Sequence, residues 1–345
     1  MSNYGIGFLA AGPVAQSIHI PAIRRYSDQL TIAHIMDIDA GLAEHLGTQH
    51  NAKWTTNEDE LINDPNVHIV VVGSPNAFHA SQIVKACEAG KKLVLAEKPL
   101  ATNEAELEEI RLAAEKSGTA IVVGAMHAFD TAYLRALEYW RSLQVEVESI
   151  EVSCYLPPND EYVRLATDLL TPTDPTAPIG GPRPTAPSAV AKITGGILGL
   201  ASHDVPLIRE FATGLPKLDY AAGLNPWGYL LQGSVDDKTL RIIGLLPGEW
   251  QPHWTFRALG KDASFEVEFQ PSYVLSGSGK IRVTVGGEVD EFSSELSAYE
   301  AEWEEIIALV SGAKKPRYSL ARVSDDLRFS LSMIEQLEGL VNENA

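Results

Sequence analysis

The chain has 345 residues, of which 45% are hydrophobic and 21% are charged, and its formal net charge is −19 at pH 7. This composition is typical of a folded soluble protein, and the length favours two domains or one large α/β domain. The excess of acidic residues repels anionic partners at long range, so we expect neither nucleic acid nor an anionic membrane as a partner.

Residue counts and hydropathy exclude several further classes. Two cysteines, Cys87 and Cys154, are too few for a disulfide framework or a cysteine-ligated metal site, and each is expected to be a small buried residue. The nine histidines show no spacing typical of zinc ligands, so we expect no metal. The N-terminus lacks a basic segment and a cleavage site, and no window holds about 18 uninterrupted apolar residues. These features predict a cytoplasmic protein.

Short apolar runs alternate with helical patterns in the first part of the chain. Strands are predicted at Gly5–Ala10, Leu30–Met36, Val67–Gly73, Lys92–Leu95 and Thr119–Gly124. Helices are predicted at Val14–Tyr26, Ala40–Gln49, Ala77–Ala89 and Asn103–Lys116. Alternation at this spacing indicates an α/β domain with a parallel sheet covered on both faces.

The pattern changes after a predicted helix at Ala128–Arg141. Strand-like segments then follow one another at Glu148–Tyr155, Leu218–Leu224, Gly228–Val235, Thr239–Leu246, Trp254–Leu259, Ser264–Phe269 and Lys280–Val285. Few helices separate them, which indicates a largely antiparallel sheet. Helical spacing returns at Ala298–Val310 and Val323–Leu340.

Prolines are concentrated between the first two of these later strands. Leu156–Pro187 carries eight of the twenty prolines, which excludes regular helix and central strand. This stretch is either an ordered loop over a cleft or a mobile lid, and we favour the lid. The predicted domains are therefore 1–125, then 126–320 including this loop, and a C-terminal helix, 321–345, that packs back on the N-terminal domain.

The end of the first predicted strand carries a turn typical of dinucleotide-binding domains. Ala10, Gly12 and Ala15 fall at the three positions where such a turn needs small residues, and Pro13 and Val14 lie between them. The three positions serve the tight turn, the approach of the backbone to the pyrophosphate, and helix–strand packing. The pattern by itself is weak, because many small-residue turns match it.

An acidic residue at the end of the second strand strengthens this interpretation. Asp37 follows Ala15 by twenty-two residues, where a carboxylate accepts hydrogen bonds from the adenosine ribose. No arginine follows it directly, and Asp39 adds a second negative charge that a 2′-phosphate would meet. The sequence therefore favours NAD over NADP. The alternative is a solvated aspartate in a turn.

Two further motifs end predicted strands. Ser74-Pro75-Asn76, followed by His79, ends the third strand, and Glu97-Lys98-Pro99 ends the fourth. Together with the turn at Ala10–Ala15 and the His19-Ile20-Pro21-Ala22 segment after it, they make the chain resemble the glucose–fructose oxidoreductase, inositol dehydrogenase and MocA family of NAD(P)-dependent oxidoreductases. The resemblance covers nearly the whole chain.

The resemblance implies an N-terminal Rossmann domain joined to a C-terminal α+β domain on an open-faced, largely antiparallel sheet. That sheet commonly packs against another subunit, which implies a homodimer or homotetramer. Lys98 is implied to stand beside the nicotinamide and the reacting oxygen of a sugar or cyclitol, where an ammonium stabilises a developing alkoxide. The implied cofactor-binding residues are Ala10, Gly12, Pro13, Val14, Asp37, Ser74, Pro75, Asn76, His79, Glu97 and Lys98.

The family's second catalytic element has two glycines, an aspartate, and a histidine four residues after it. Here Gly195-Gly196 are followed by Gly199 at the aspartate position and by His203. If the segment is helical, residues 199 and 203 share one face, and His203 is implied to be a general base that contacts substrate. The other interpretation is a structural histidine. Pro206 replaces a second frequent aspartate, and Asp204 is set aside because consecutive helical residues face different sides.

One histidine is a candidate to compensate for the missing carboxylate. His127 lies just past the fifth predicted strand, where family members often place a substrate-contacting side chain. We expect it to contact substrate and partly to replace the lost group. Trp227, Trp250 and Trp254 are candidates for stacking on a pyranose, with burial in the core as the other interpretation for each.

Three functions remain open at this stage. The leading one is an NAD-dependent oxidoreductase that acts on a CH–OH group of a sugar, sugar derivative or cyclitol. The second is a redox-neutral NAD-using sugar lyase or glycosidase of the same family, with which the altered Gly199 position is compatible. The third is a non-catalytic NAD-binding regulator, against which the presence of both Lys98 and His203 argues.

Overall fold

The molecule is described by a computed structural model that covers residues 3–157, 162–163, 167–170, 188–246 and 252–341. Its contacts divide the chain into two compact units. The first consists of Met1–Gly124, Val163–Arg183 and Glu302–Ser324, and the second of Ala125–Tyr162, Pro184–Ala301 and Asp325–Ala345. Most of the predicted lid and Trp250 lie outside the described residues.

The first unit is built on a six-stranded sheet. Its strands are β1 (Tyr4–Leu9), β2 (Leu30–Met36), β3 (Lys53–Thr55), β4 (Ile69–Val72), β5 (Leu93–Ala96) and β6 (Ala120–Val123). They are ordered β3-β2-β1-β4-β5-β6, and every neighbouring pair is parallel. The central strands β4 and β5 are buried at every position, as expected where helices cover both faces.

Helices connect these strands. They are α1 (Ile20–Arg24), α2 (Ala40–Gln49), α3 (Glu58–Ile62), α4 (His79–Glu88) and α5 (Glu104–Ser117). Asp39 and Asn103 cap α2 and α5 with their side chains. Before α1 the chain forms a wide π-helical turn, Ala15–His19, in which all five residues are buried.

The second unit is built on an eight-stranded sheet. Its strands are β7 (Val147–Tyr155), β8 (Lys217–Leu224), β9 (Trp227–Val235), β10 (Lys238–Leu246), β11 (His253–Gly260), β12 (Ala263–Glu268), β13 (Lys280–Val285) and β14 (Glu288–Phe292). They are ordered β14-β13-β12-β11-β7-β10-β9-β8. All neighbouring pairs are antiparallel except β7 and β10. The predicted fold class, a parallel Rossmann sheet followed by a largely antiparallel sheet, is confirmed.

One face of this second sheet carries a row of alternating charges across five strands. Arg241, Glu151, Arg257, Glu266 and Arg282 lie directly opposite one another on β10, β7, β11, β12 and β13. Adjacent members form ion pairs with N–O distances of 2.8 to 3.7 Å. Opposite charges across neighbouring strands favour this register over a shifted one.

The helices in the second half of the chain are α6 (Thr131–Leu143), α7 (Ala189–Gly199), α8 (Val205–Ile208), α9 (Ala298–Val310), α10 (Leu320–Glu335) and α11 (Leu337–Leu340). Among the described residues, none of the helices has the length and hydropathy needed to cross a bilayer. Both cysteines are buried, as predicted.

The contacts of the C-terminal helices differ from the prediction that 321–345 packs on the N-terminal domain. Asp325–Ala345 clusters with the second unit. There the amide of Gln336 accepts a hydrogen bond from Leu218 N–H and donates one to the carbonyl oxygen of Pro216. Asp326 pairs with Arg209, with an N–O distance of 3.2 Å. These polar contacts, which periodicity does not reveal, hold the segment on β8 and the chain beside it.

A buried carboxylate joins β2, β3 and the loop before β4 in the first unit. Asp64 accepts hydrogen bonds from Lys53 Nζ at 2.8 Å, from Asn66 N and Nδ2 at 2.9 and 3.0 Å, and lies 3.1 Å from His34 Nδ1. Burial by itself would raise the pKa of Asp64, but the donors of Lys53 and Asn66 hold it at about 2.

We therefore expect Asp64 to stabilise the first unit above its unfolded-state pKa of about 4, and this contribution to disappear as the pH falls from about 4 to 2. Asp64→Asn should lower the free energy of unfolding by about 1–3 kcal/mol at pH 6. In this variant the free energy of unfolding should also fall less steeply between pH 4 and 2 than in the wild type. Urea unfolding at a series of pH values measures both effects. The exposed Asp28→Asn is the matched control, and equal acid limbs in both variants would contradict the assignment.

Candidate functional site

The turn after β1 has a constrained backbone. Ala10 adopts a φ of +79°, in the left-handed region that non-glycine residues seldom occupy. The carboxylate of Asp37 accepts the N–H of Ala11 at 2.8 Å and that of Asp39 at 2.9 Å, and only 9% of Asp37 is exposed. The acidic residue at the end of β2 therefore holds the turn at the end of β1.

This turn fits a dinucleotide in two respects. A Cβ placed on Gly12 would meet no described atom within 4 Å, so the backbone is open to a ligand there. Each oxygen of Asp37 has one backbone donor and keeps lone pairs for a further hydrogen bond, as ribose recognition requires. Pro13 is exposed and Val14 is half-buried at the rim of the turn.

A side chain in the π-helical turn also contacts a distant part of the first unit. Gln16 donates to the carbonyl oxygen of Ala11 at 2.7 Å and to that of Leu170 at 3.1 Å. Its own amide oxygen accepts the N–H of Leu170 at 3.0 Å. Gln16 thus fastens the described segment 167–170 beside the turn, a link over 154 residues that the sequence does not signal.

The motif after β4 is organised around a buried histidine. His79 Nδ1 lies 2.8 Å from the carbonyl oxygen of Pro99, and Nε2 lies 2.8 Å from that of Ser74. His79 therefore joins the loop after β4 to the loop after β5. Ser74 Oγ donates to Gln82 Oε1 at 2.6 Å, while Asn76 stays exposed at the start of a 3-10 turn.

The motif after β5 places a carboxylate and an ammonium side by side in sequence. Glu97 and Lys98 are both half-buried, and Glu97 Oε1 lies 2.9 Å from Nε2 of the buried His19. Burial by itself would raise the pKa of Glu97, but the His19 hydrogen bond and the charge of Lys98 keep it below its ordinary value. Burial lowers the pKa of Lys98, and Glu97 partly opposes that effect.

In the second unit, the segment around His203 is not one helix. α7 ends at Gly199, and Ala201–His203 form a 3-10 turn before α8 begins at Val205. Pro206 cannot donate to the carbonyl of Ser202, so a continuous helix is interrupted at this point. The condition under which residues 199 and 203 would share a helical face is therefore not met.

This break changes the position of Asp204. Its Oδ1 accepts a hydrogen bond from Trp254 Nε1 at 2.9 Å and lies 3.9 Å from His127 Nδ1. The ring of His127 stacks on Phe269 at 3.7 Å, and its centroid lies 5.7 Å from that of His203. The reason for setting Asp204 aside is wrong, because the carboxylate stands beside the predicted substrate-contacting histidine.

Burial affects the charge of Asp204 beside His127 and His203. Asp204 and His127 are almost completely buried, and 8% of His203 is exposed. Desolvation raises the pKa of Asp204, although His127 and the indole of Trp254 act in the opposite direction. At 3.9 Å from His127 Nδ1, this carboxyl lies close to the imidazole but beyond hydrogen-bond distance.

The remaining predicted residues have plain positions. A Cβ on Gly199 would meet no described atom within 4 Å, so there is room for a side chain where the family has an aspartate. Trp254 is buried by its contacts with the histidines and with Asp204, so it offers no open face to a sugar, and Trp227 is half-buried. No group of three or more potential metal ligands occurs in the described part of the chain.

The sequence does not connect three of these side chains to a functional site. His19 was noted only as part of a motif, and neither Trp303 nor the Asp204 carboxylate was connected to a site. Each reaches its partner across a large sequence separation or after an irregular turn, so hydropathy spacing does not reveal it.

The left-handed Ala10 generates a stability prediction. An alanine at this φ costs about 1–2 kcal/mol in strain, against an entropic cost for glycine of about 0.5–1 kcal/mol. Ala10→Gly should therefore leave the free energy of unfolding unchanged or raise it by up to about 1 kcal/mol. Ala113→Gly, in the middle of α5, is the control and should lower it by about 1 kcal/mol. Both free energies are measured by urea unfolding. If the two variants lost the same free energy of unfolding, the backbone of Ala10 would not be strained.

Comparisons with known proteins agree with this fold. Residues 5–125 match the model of an oxidoreductase family with an NAD-binding Rossmann fold. The 1,5-anhydro-D-fructose reductase of Ensifer adhaerens is 30% identical over 76% of this chain and 72% of that enzyme. The uncharacterized oxidoreductase YrbE of Bacillus subtilis is 29% identical over 47% of this chain, and this match spans only about half, 48%, of that relative.

A solved structure extends the likeness of the fold over the whole chain. KijD10, a 3-ketoreductase from Actinomadura kijaniata solved with NADP and TDP-benzene, has a TM-score of 0.72 and 15% identity, with 98% of both chains covered. The family model and the Ensifer adhaerens relative confirm the resemblance seen in the sequence, to glucose–fructose oxidoreductase, inositol dehydrogenase and MocA. The chain belongs to this family of oxidoreductases, and residues 5–125 form its NAD-binding Rossmann domain.

Proposed function

We propose that the chain is an NAD-dependent oxidoreductase that acts on a CH–OH group of a sugar, sugar derivative or cyclitol. The observation that carries the proposal is the Glu97–Lys98 pair at the end of β5, in a domain of an NAD-binding family, with burial lowering the pKa of Lys98. The names of the relatives, among them 1,5-anhydro-D-fructose reductase and scyllo-inositol 2-dehydrogenase, support a polyhydroxylated substrate.

The side chains divide the chemistry between them. Bound NAD supplies the hydride acceptor. The Lys98 ammonium stabilises the oxygen on which negative charge develops, and His203 takes the hydroxyl proton. His127 contacts the substrate, and the Asp204 carboxyl lies 3.9 Å from His127 Nδ1.

The turn residues account for cofactor binding in this proposal. Ala10, Gly12, Pro13 and Val14 lie along the pyrophosphate, and Asp37 takes the ribose hydroxyls. Ser74, Pro75, Asn76 and His79 complete the binding surface with Glu97 and Lys98.

We keep three further expectations: a cytoplasmic location, no nucleic-acid or membrane partner, and a homodimer or homotetramer through the C-terminal sheet. The charged row on that sheet makes such an assembly sensitive to salt.

Substitution of Lys98 tests the activity directly. With a panel of sugars and cyclitols, the wild-type chain should form NADH, and Lys98→Met should reduce its rate by at least about 10²-fold. The matched control is Lys92→Met, an exposed lysine in the same stretch, which should retain the rate. Substrate-dependent NADH formation that survives in Lys98→Met would contradict the role of Lys98.

The nucleotide carried by the protein tests the cofactor preference. Nucleotide released from denatured, freshly purified protein, or bound on addition, should be NAD(H). Asp37→Asn keeps an acceptor for Ala11 N–H but removes the charge, so the ratio of NADP to NAD affinity should rise about tenfold, or about 1.4 kcal/mol. NADP(H) in the wild-type protein would contradict the preference read from Asp37.

The open space at Gly199 favours a second candidate, the redox-neutral sugar lyase or glycosidase. Without a carboxylate at this position, the site has room beside α7 for a substituent that is later eliminated. Tightly retained NAD(H) and cleavage of substrate without net NADH would identify this reaction. Nucleotide binding without any turnover would instead identify the non-catalytic regulator.

A further inference from the structure

A chain of hydrogen bonds reaches Glu97 from the far side of the first unit. The indole Nε1 of Trp303, at the buried face of α9, lies 3.3 Å from His19 Nδ1. His19 Nε2 lies 2.9 Å from Glu97 Oε1. His19 and Trp303 are 284 residues apart, and each is 1% exposed or less.

The indole N–H of Trp303 determines which nitrogen of His19 carries the proton. An indole N–H only donates, so Nδ1 of His19 accepts with its lone pair. The proton of the neutral ring then lies on Nε2 and is donated to the Glu97 carboxylate. A proton on both nitrogens would turn the Nδ1 contact into two buried donors facing each other, which is unfavourable.

The other titratable groups around Glu97 leave it as the negative charge of this cluster. Glu302 is completely buried, burial raises its pKa well above the ordinary value, and its Oε1 has no hydrogen-bond partner among the described residues. Burial and the nearby Glu97 carboxylate both favour the protonated form of Glu302. The remaining neighbours that act on Glu97, namely Lys98 and His79, both lower its pKa and so favour its ionised form.

The backbone also leaves a place for this carboxylate. A Cβ on Gly124, just after β6, would lie 2.9 Å from Glu97 Oε1. Any larger residue at 124 would displace the carboxylate from His19. The space beside β6 and the wide turn Ala15–His19 thus meet at one oxygen atom of Glu97, and the indole from α9 contacts the other side of the His19 ring.

We propose that His19 and Trp303 are positioning residues for catalysis: Trp303 holds His19 as the Nε2–H tautomer, and His19 holds Glu97 ionised as the counter-charge of Lys98. The inference deepens the proposed function, since it rests on the role of Lys98 given there. Lys98 itself remains the catalytic residue. His19 and Trp303 act on it only through Glu97.

The first test uses the wild-type protein and needs no substrate. In protein labelled with ¹⁵N-histidine, long-range ¹H–¹⁵N spectra at pH 7 distinguish the two neutral tautomers and the imidazolium. The signal of His19 is assigned by its absence in His19→Gln. We expect a protonated Nε2 and an unprotonated Nδ1, and Trp303→Phe should release this restriction. A proton on Nδ1 in the wild type would overturn the proposal, whether or not any variant folds.

The second test measures the charge state of Lys98. The protein is treated with trace acetic anhydride over a range of pH, and modification of Lys98 is quantified by peptide mass spectrometry against the exposed Lys116. In His19→Leu, Glu97 loses its donor, its pKa rises, and Lys98 loses counter-charge. The titration midpoint of Lys98 should fall by about one unit, which raises its labelling at neutral pH about tenfold.

A conservative variant separates this role from packing. His19→Gln places an amide N–H near the position of Nε2 and should return the Lys98 midpoint to within a factor of about two in labelling. An unchanged midpoint in folded His19→Leu would overturn the proposal. Because labelling does not depend on turnover, a failure of the proposed oxidoreductase activity would show in the NADH assay and leave this result intact.

Discussion

The half-buried, ionised carboxylate of Glu97 is the constraint on which the first unit's site depends. A charge taken out of water needs donors and a counter-charge, and here His19 provides the hydrogen bond while Lys98 provides the charge. Gly124 leaves room for the carboxylate, and Trp303 supports His19 from behind. Elements that are far apart in sequence are therefore tied to the residue before the proposed catalytic lysine.

A second carboxylate is placed by the same logic in the other unit. Asp204 is buried, accepts the indole N–H of Trp254, and lies near His127. The family position for a carboxylate is Gly199, where the chain has open space instead. A side chain from the irregular turn after α7 thus brings a carboxyl group close to the predicted substrate-contacting histidine, at a position that alignment with the family motif does not predict.

Irregular backbone recurs at the candidate site residues. Ala10 has a positive φ, Ala15–His19 form a π-helical turn, and Ala201–His203 form a 3-10 turn. Regular helices and strands fix side-chain directions by period, whereas these turns point Asp204 and His19 toward partners that the period would not predict. Strain and wide turns of this kind are tolerated because hydrogen bonds hold the neighbouring backbone. Asp37 accepts the N–H of Ala11, and Gln16 donates to the carbonyl oxygen of Ala11.

Residue patterns along the chain were sufficient to predict the two sheets, the family, and the motifs at the ends of β1, β2, β4 and β5. Apolar runs such as Ile69–Val72 must be buried, and caps such as Asn103 act through local hydrogen bonds, so both are readable along the chain. The short β3 and the charged, exposed β14 were not predicted, because pairing with a neighbouring strand decides them rather than their own hydropathy. Three features became visible only in the folded chain: Asp204 lies beside His127, His19 bridges Trp303 and Glu97, and Asp325–Ala345 clusters with the second unit. Each of these depends on donors and acceptors brought together over long sequence distances, for which neither periodicity nor composition carries a signal.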